Sequence, residues 1–229
     1  MVKVMVKVMH ALTVDNLVFG CEGGRLQILL VRHGDGDSIG QWGLPGDWLL
    51  DHETLSEAAA RVLLDKTGLS DIYLEQLKTF SDLGRHPTER IITTVFFSLI
   101  APDASKLVVG TYQLDVKWFP VNEIPKLIFD HQAILEIGIM HLKHKVCHEP
   151  IGFNLLPEKF SLLELQMLYE GILGVALDKP NFRRKMQKMN LLISCDEKQL
   201  GVAHRAATLY RFDKERYFEL KQQGFVFEV

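Results

Sequence analysis

The segment Gly46–Leu69, which reads GDWLLDHETLSEAAARVLLDKTGL, contains the clearest helical pattern in the chain and decides the fold. After Thr54, apolar residues recur at spacings of three and four, which is typical of one buried face of an α-helix. These residues are Leu55, Ala58, Ala59, Val62 and Leu63. Gly68 follows where a C-terminal cap belongs. The sequence therefore predicts a helix that begins after Thr54 and ends near Gly68.

Strand-like segments lie on both sides of this helix. Before it, two stretches rich in branched apolar residues flank a turn with two glycines, which predicts a β-hairpin. After it, three further stretches have strand character. In chain order the five stretches are ALTVDNLVFG, LQILLVR, YLEQLKTFSDL, RIITTVFFSLIA and VKWFPV. A second helix is expected from His131 to about Lys145, with Asp130 as its cap.

The composition is that of a globular protein. The chain has 229 residues, of which 47% are hydrophobic and 24% charged, and its net charge is −3. These values argue against a disordered chain. No apolar run reaches the roughly 18–20 residues needed to span a bilayer, and the start MVKVMVKVMH is a poor signal peptide. Three scattered cysteines are typical of reduced thiols, so a cytoplasmic protein without membrane contact is expected.

The pattern changes after the segment EPIGFNLLPEKF. Ser161 and Glu164 have the spacing of a capping box ahead of an amphipathic helix that Gly174 ends. A second helix follows a short turn, with Asp178 as its N-cap and Pro180 in its first turn. The stretches LLISC and AATLYRF then predict a two-stranded hairpin. This order is that of a winged helix-turn-helix, and we place the domain boundary between residues 1–149 and 150–229.

The second of these helices, DKPNFRRKMQKM, is strongly basic on one side. Phe182, Met186 and Met189 share one face, which is expected to pack inward. Residues 179–211 contain 8 basic and 2 acidic residues, an excess that suits a DNA contact. The predicted DNA-binding residues are Lys179, Asn181, Arg183, Arg184, Gln187, Lys188, His204 and Arg205. A solvated surface, or a surface for an acidic protein partner, would leave the same pattern.

Gly46–Leu69 resembles the Nudix box, in which a glycine and a loop precede a glutamate and then Arg-Glu-x-x-Glu-Glu. In active members the helix glutamates bind divalent cations that activate water. Here Glu53 and Arg61 match the pattern, and an ion pair between them is expected. The three following carboxylate positions are occupied by Val62, Asp65 and Lys66. The resemblance therefore implies a Nudix-like domain without catalytic residues, metal or cofactor.

Nearly the whole chain resembles the Nudix-related bacterial transcriptional regulators. The likeness includes FSLLELQMLYEGILG, NFRRKM and the wing stretch RAATLY. It implies an α+β protein, with a Nudix-like α/β/α sandwich containing a mixed sheet, followed by a winged helix-turn-helix domain. It also implies a non-enzymatic repressor that binds a palindromic operator in double-stranded DNA as a homodimer.

The stretches IFDH and EPIGFNLLPEKF resemble most the branch that responds to pentose sugars, L-arabinose in particular. The main expectation is therefore a sugar-sensing repressor of pentose utilisation genes. One alternative is a regulator of NAD metabolism that senses ADP-ribose. A second alternative is a magnesium-dependent Nudix hydrolase that acts on ADP-ribose-like substrates.

The effector is expected to bind between the QWGLPG segment, the Nudix box and the later strands. Aromatic rings can stack on a sugar, and charged groups can bond its hydroxyls or phosphates. The predicted ligand-binding residues are Arg32, His33, Trp42, Asp82, Arg85, Asp130 and His131, with Trp48 and Trp118 as further candidates. Asp130 could instead only cap its helix, and His131 could be a packed core histidine.

Overall fold

A computed structural model describes residues 11–199 and 206–229. The chain divides into two compact units that are not contiguous in sequence. The first unit comprises the described residues up to Val18, Ile28–Ser98 and Asp103–Gly138. The second comprises Phe19–Gln27, Leu99–Pro102 and the chain from Ile139 onward. The boundary expected between residues 149 and 150 stays a prediction, because the units interleave along the chain.

The first two thirds of the chain form a seven-stranded sheet and two long helices. The elements are β1 Leu12–Glu22, β2 Arg25–His33, β3 Trp42–Gly43, β4 Gly46–Trp48, α1 Leu55–Thr67, β5 Glu75–Phe80, β6 Ile92–Leu99, β7 Gln113–Pro120 and α2 His131–His148. The main strand order is β3-β2-β1-β6-β5, with β4 paired to β1 and β7 paired to β2. Each predicted strand and both predicted helices are present, and the fold class is confirmed.

Helix α1 begins and ends as its sequence predicts. The Thr54 side chain accepts from the Glu57 backbone N–H, and the Glu57 carboxylate accepts in return from the Thr54 backbone N–H, which completes a capping box. Gly68 ends the helix with φ 77°, a left-handed conformation that favours glycine. The buried face includes Val62 and packs with Val14 and Phe96 in one apolar cluster. This packing holds α1 in one orientation, with its opposite face turned away from the apolar cluster.

The C-terminal part has the element order of a winged helix. Its elements are β8 Phe160–Ser161, α3 Leu162–Leu173, α4 Lys179–Lys188, β9 Leu192–Lys198, β10 Thr208–Phe212 and α5 Lys214–Gln222. The strands form a sheet in the order β8-β10-β9. The predicted capping box of α3, its Gly174 cap and the Asp178 cap of α4 are all present. Helix α5 was not predicted, because none of its residues is buried and it shows no apolar stripe.

Aromatic contacts hold the C-terminal elements together. The rings of Tyr169 on α3 and Phe182 on α4 have centroids 5.6 Å apart, and both side chains are buried. Phe153 stacks on Phe212 of β10 with centroids 4.3 Å apart. These contacts fix the face of α4 that turns inward. Within the described ranges, every helix is too short or too polar to cross a membrane.

Candidate ligand cavity and nucleic-acid interface

The first unit contains a cavity of about 440 Å³. Its lining comes from β1, β2, β4, the end of α1, the start of α2 and the loops before β6 and β7. The volume is within the range of small-molecule sites, roughly 300–1,000 Å³. Charged, imidazole and aromatic side chains all contribute to the lining, so the cavity suits a ligand that carries both an anionic group and a flat ring.

A buried charge network borders the cavity. Arg85 donates two hydrogen bonds to the Asp130 carboxylate, at 3.0 and 2.9 Å, and lies 4.0 Å from an Asp15 oxygen. The Thr93 hydroxyl donates to the same Asp15 oxygen at 2.6 Å. The side chains of Arg85 and Asp15 are only 5% and 7% exposed. Since a buried charge needs partners, this network positions the groups around it more than it offers free donors.

His131 belongs to this network as a neutral imidazole. The Leu44 backbone N–H donates to His131 Nδ1 at 3.0 Å, so Nδ1 carries no proton. Burial lowers the pKa of His131, although Asp15 and Asp130 oppose this effect. The remaining proton is therefore on Nε2, which lies 3.7 Å from an Asp15 oxygen. His131 is both a packed core histidine and part of the cavity wall.

His33 lies at the end of β2 and also lines the cavity. Its Nε2 atom is inaccessible to solvent and has no hydrogen-bond partner within residues 11–199 and 206–229. Burial lowers the pKa of His33, and the nearby His131 and Lys66 lower it further. An unpartnered ring nitrogen is costly unless a ligand or water satisfies it.

The Glu53–Arg61 ion pair expected from the Nudix box is confirmed. Arg61 Nε donates to Glu53 at 2.8 Å, and Arg61 Nη2 donates to Glu53 at 2.6 Å and to the Trp48 carbonyl at 2.9 Å. This hydrogen bonding from Arg61 lowers the pKa of Glu53 to about 2. Asp65 lies 3.7 Å from the same guanidinium. Arg61 therefore links the loop after β4 to the helix and engages both carboxylates.

The last box position, Lys66, carries an ammonium that faces the cavity lining. Its Nζ lies 2.7 Å from Asp47 Oδ2, and both residues line the cavity. Val62 is fully buried in the apolar cluster and can offer no ligand. Within the described residues, no group of three or more His, Cys, Asp or Glu side chains is placed to hold a metal ion. The residues of this box therefore do not fit the divalent cations of the Nudix pattern.

Aromatic side chains surround the opening of the cavity. Phe129 is 43% exposed, and its ring lies 4.4 Å from the His86 ring. Tyr112 is 67% exposed and Trp48 is 45% exposed. Phe129 and Tyr112 have φ values of 47° and 62°, a left-handed conformation that costs a non-glycine residue on the order of 1–3 kcal/mol. Exposed rings held at strained positions are suited to stack on a planar ligand group.

Five of the predicted ligand residues meet at this cavity. His33, Trp48, Arg85 and His131 line it, and Asp130 reaches it through its bonds to Arg85. Several lining residues were not predicted from the sequence to bind the ligand. They are Thr13, Asp15, Asp35, Asp47, Lys66, His86, Tyr112 and Phe129. Of these, Lys66 had a sequence signal, since it stands where the Nudix pattern has a glutamate.

The other predicted residues lie away from the cavity lining. Arg32 is exposed and donates its Nε to the Gly40 carbonyl at 2.9 Å, because alternate residues of β2 face opposite sides. Trp42 packs edge-on against a neighbouring ring, and Asp82 is exposed. Trp118 is half-buried and is not among the lining residues. The assignment of Arg32, Trp42 and Asp82 to ligand binding stays a prediction.

Helix α4 presents the basic face expected from its sequence. Phe182 and Met186 are buried, and five predicted DNA-binding residues are exposed. The five are Lys179, Asn181, Arg184, Gln187 and Lys188. Asn181 accepts a hydrogen bond from Arg184 Nη2. The helix thus displays long polar side chains on a firmly packed base, which suits a groove of double-stranded DNA.

Arg183 differs from the prediction that it points away from the packed face. It is half-buried, and its Nε is inaccessible and has no hydrogen-bond partner in the described part of the chain. It follows Phe182 directly, so its stem lies beside the buried stripe. The predicted wing contacts His204 and Arg205 lie outside the described residues.

Comparisons with known proteins agree with this arrangement. The NUDIX domain model matches residues 9–136, and the model of the NrtR DNA-binding winged helix domain matches residues 152–212. The ADPR responsive transcriptional repressor NtrR of Acinetobacter baylyi is 33% identical over 210 residues, which cover 90% of this chain and 83% of that protein. The chain belongs to the family of Nudix-related transcriptional regulators. Its winged helix is accordingly a DNA-binding domain.

Two solved structures from Shewanella oneidensis extend the likeness. The crystal structure of NrtR complexed with a 27mer DNA matches with a TM-score of 0.72 and 31% identity, covering 88% of this regulator and 93% of that chain. The cocrystal structure of the NrtR NUDIX domain complexed with ADP ribose matches with a TM-score of 0.54 and 30% identity, covering 59% of this regulator and 90% of that chain.

These matches overturn the main expectation about the effector. The relative that covers most of the regulator responds to ADPR, so the prediction of a pentose or L-arabinose effector is wrong. That prediction relied on IFDH and EPIGFNLLPEKF. Residues 149–160 do not line the cavity of the first unit, whereas Phe129 and His131 of the first stretch do. The likeness in residues 149–160 therefore carried no information about the ligand.

Proposed function

We propose that this regulator is an ADP-ribose-responsive repressor of genes of NAD metabolism. The observation that carries the proposal is the similarity to an ADPR responsive repressor over 90% of the chain, which includes both the cavity and the winged helix. ADP-ribose combines two anionic phosphates with a planar adenine and two sugars. The cavity offers cationic and imidazole groups, exposed aromatic rings and carboxylates, which are complementary to these parts.

In this proposal the Nudix-like domain binds its ligand without hydrolysing it. Glu53 and Asp65 are engaged by Arg61, and Lys66 carries a positive charge where the pattern has a glutamate. A hydrolase of this type would need cations to activate water at this helix. The described residues of this helix therefore support binding of the ligand by a receptor rather than its hydrolysis.

The regulator would act in the cytoplasm as a two-fold dimer, because one recognition helix covers only half of a palindromic operator. Exposed residues of α4, Arg184 and Gln187 among them, would contact the bases and phosphates. ADP-ribose would weaken DNA binding only if it binds the DNA-free state more tightly than the DNA-bound state. Repression would then be relieved as ADP-ribose accumulates.

Mobility shift tests the proposal. The purified protein should retard DNA from the promoter region beside its own gene, and added ADP-ribose should release that DNA. Arabinose and xylose at the same concentrations are the controls and should leave the complex intact. Chromatography of the ADP-ribose after incubation with Mg²⁺ should recover it unchanged. Release by a pentose alone, or conversion of ADP-ribose to AMP and ribose phosphate, would overturn the proposal.

A further inference from the structure

Lys66 occupies a distinctive position among the charged groups of the cavity. Its side chain is 13% exposed, and its ammonium lies 2.7 Å from Asp47 Oδ2. The other carboxylate oxygen of Asp47 accepts the Trp48 backbone N–H at 2.8 Å. Asp47 thus ties the ammonium of α1 to strand β4. A lysine that would otherwise move freely is held in one place at the cavity wall.

The other lining cation is held by two carboxylates. Arg85 gives two hydrogen bonds to Asp130 and lies near Asp15. An ammonium has three N–H donors, and the one carboxylate paired with that of Lys66 is Asp47, whose Oδ2 lies 2.7 Å away. Among the described cations of the cavity lining, Lys66 pairs with one carboxylate whereas Arg85 lies against two, so the Lys66 charge is the less neutralised and its ammonium keeps donors for a ligand. The lining also includes Asp15, Asp35 and Asp47, so a bound anion needs such a cation nearby.

We propose that the Lys66 ammonium, held by Asp47, is the fixed cation that binds the diphosphate of the effector, so that binding requires no divalent metal ion. This inference rests on the proposed function, since it takes an ADP-ribose-like anion as the ligand. It follows from two observations: the described residues lack a donor set for a metal, and they place an ammonium against the cavity instead. Because Lys66 belongs to the protein, its positive charge is available whether or not a metal ion is present.

Calorimetry with ADP-ribose on the full chain provides the first test. Binding should be the same within about twofold in EDTA and in millimolar MgCl₂, because the cation belongs to the protein. Binding that appears only with Mg²⁺ would overturn the inference and leave the proposed function standing. Failure to bind ADP-ribose in either buffer would overturn the proposed function, and this inference with it.

Two variants separate ligand binding from a structural role of the pair. Lys66→Met should weaken ADP-ribose binding about 10- to 100-fold, the usual loss for a hydrogen bond to a charged group. The double variant Lys66→Met/Asp47→Asn removes the unpaired carboxylate as well and should remain at least about tenfold weaker than the wild type. Lys106→Met is the control, since Lys106 is exposed and pairs with Asp103 at 3.6 Å.

The double variant decides the outcome. If it binds ADP-ribose as tightly as the wild type, Lys66 merely neutralises Asp47, and the inference fails. Unchanged affinity in Lys66→Met would overturn it as well. Weak binding in both variants with normal binding in Lys106→Met would support it, and far-ultraviolet circular dichroism would show that each variant is folded.

Discussion

The ligand cavity and the recognition helix α4 both depend on charged side chains, but they hold them in opposite ways. Arg85 at the cavity is 5% exposed and is bonded to carboxylates from other segments of the chain. On α4, Lys179, Arg184 and Lys188 are exposed, and the helix is anchored by apolar residues instead. Charges of the first kind support the fold and the site together. Those of the second kind can be replaced without harming the fold.

The largest expected effect is on stability, and it tests whether the buried charge network of Arg85 supports the fold. Replacing Arg85 with Met leaves Asp15 and Asp130 without their cation inside the protein. Breaking a buried pair in this way costs about 3–5 kcal/mol, so the free energy of unfolding should fall by that amount. Urea denaturation followed by fluorescence measures the change.

The matched control for this variant is Arg25→Met. Arg25 is exposed at the start of β2, and a surface substitution of this kind usually changes stability by less than about 0.5 kcal/mol. Similar, small losses in both variants would show that the Arg85 network contributes little to stability. The buried charges at the cavity would then support the fold no more than exposed charges do.

An effect of intermediate size is expected on DNA binding, when an exposed charge of α4 is removed. Arg184→Ala should weaken binding to the operator by about 1–3 kcal/mol, which is the usual cost of losing an arginine contact in the major groove. The free energy of unfolding should stay within about 0.5 kcal/mol of the wild type, because Arg184 is exposed and its side chain bonds to Asn181 of the same helix. Fluorescence anisotropy with labelled operator DNA measures the first quantity.

Lys221→Ala on α5 is the control for DNA binding, since it also removes one exposed positive charge. Equal losses in the two variants would mean that α4 contributes only general electrostatic attraction. A marked loss of stability in Arg184→Ala would show that charges on this helix also support the fold.

The features that could be predicted from the sequence depend on residues that lie close together in the chain. The face of α4 follows from the spacing of Phe182 and Met186, since helical geometry alone decides which residues lie opposite. The capping residues Thr54 and Ser161 likewise act within a few positions of their own helices. Such features are local, so most helices and strands were predicted correctly.

The cavity depends on contacts between residues far apart in sequence. Asp15 of β1 meets Arg85 of a loop and His131 of α2, and no local pattern marks these three as neighbours. Phe129 and Tyr112 are positioned by strained backbone in irregular segments, which periodicity does not describe. The effector was mistaken because the likeness used to infer it included residues that do not line the cavity.

The smallest expected effect concerns the imidazole of His33. It is half-buried, so it is intermediate between the buried charges of the cavity and the exposed charges of α4, and it can be titrated. Burial and the neighbouring Lys66 and His131 keep its pKa below the ordinary value of 6.5, while Asp35 and Asp15 act in the opposite direction. A diphosphate bound beside His33 would favour the protonated ring and raise its pKa. ADP-ribose affinity should therefore increase as the pH falls towards the pKa of the free protein, by about three- to tenfold between pH 7.5 and 6.

Calorimetry in two buffers with different ionisation enthalpies would detect the accompanying proton uptake. His33→Gln should abolish both the uptake and the pH dependence, whereas His86→Gln, which removes the cavity imidazole packed against Phe129, should preserve them. The sign is the critical feature. Affinity rises as the pH falls only if the pKa of His33 rises on binding, so affinity that decreases in acid, or a pH dependence that disappears with His86 instead, would place the phosphates away from His33.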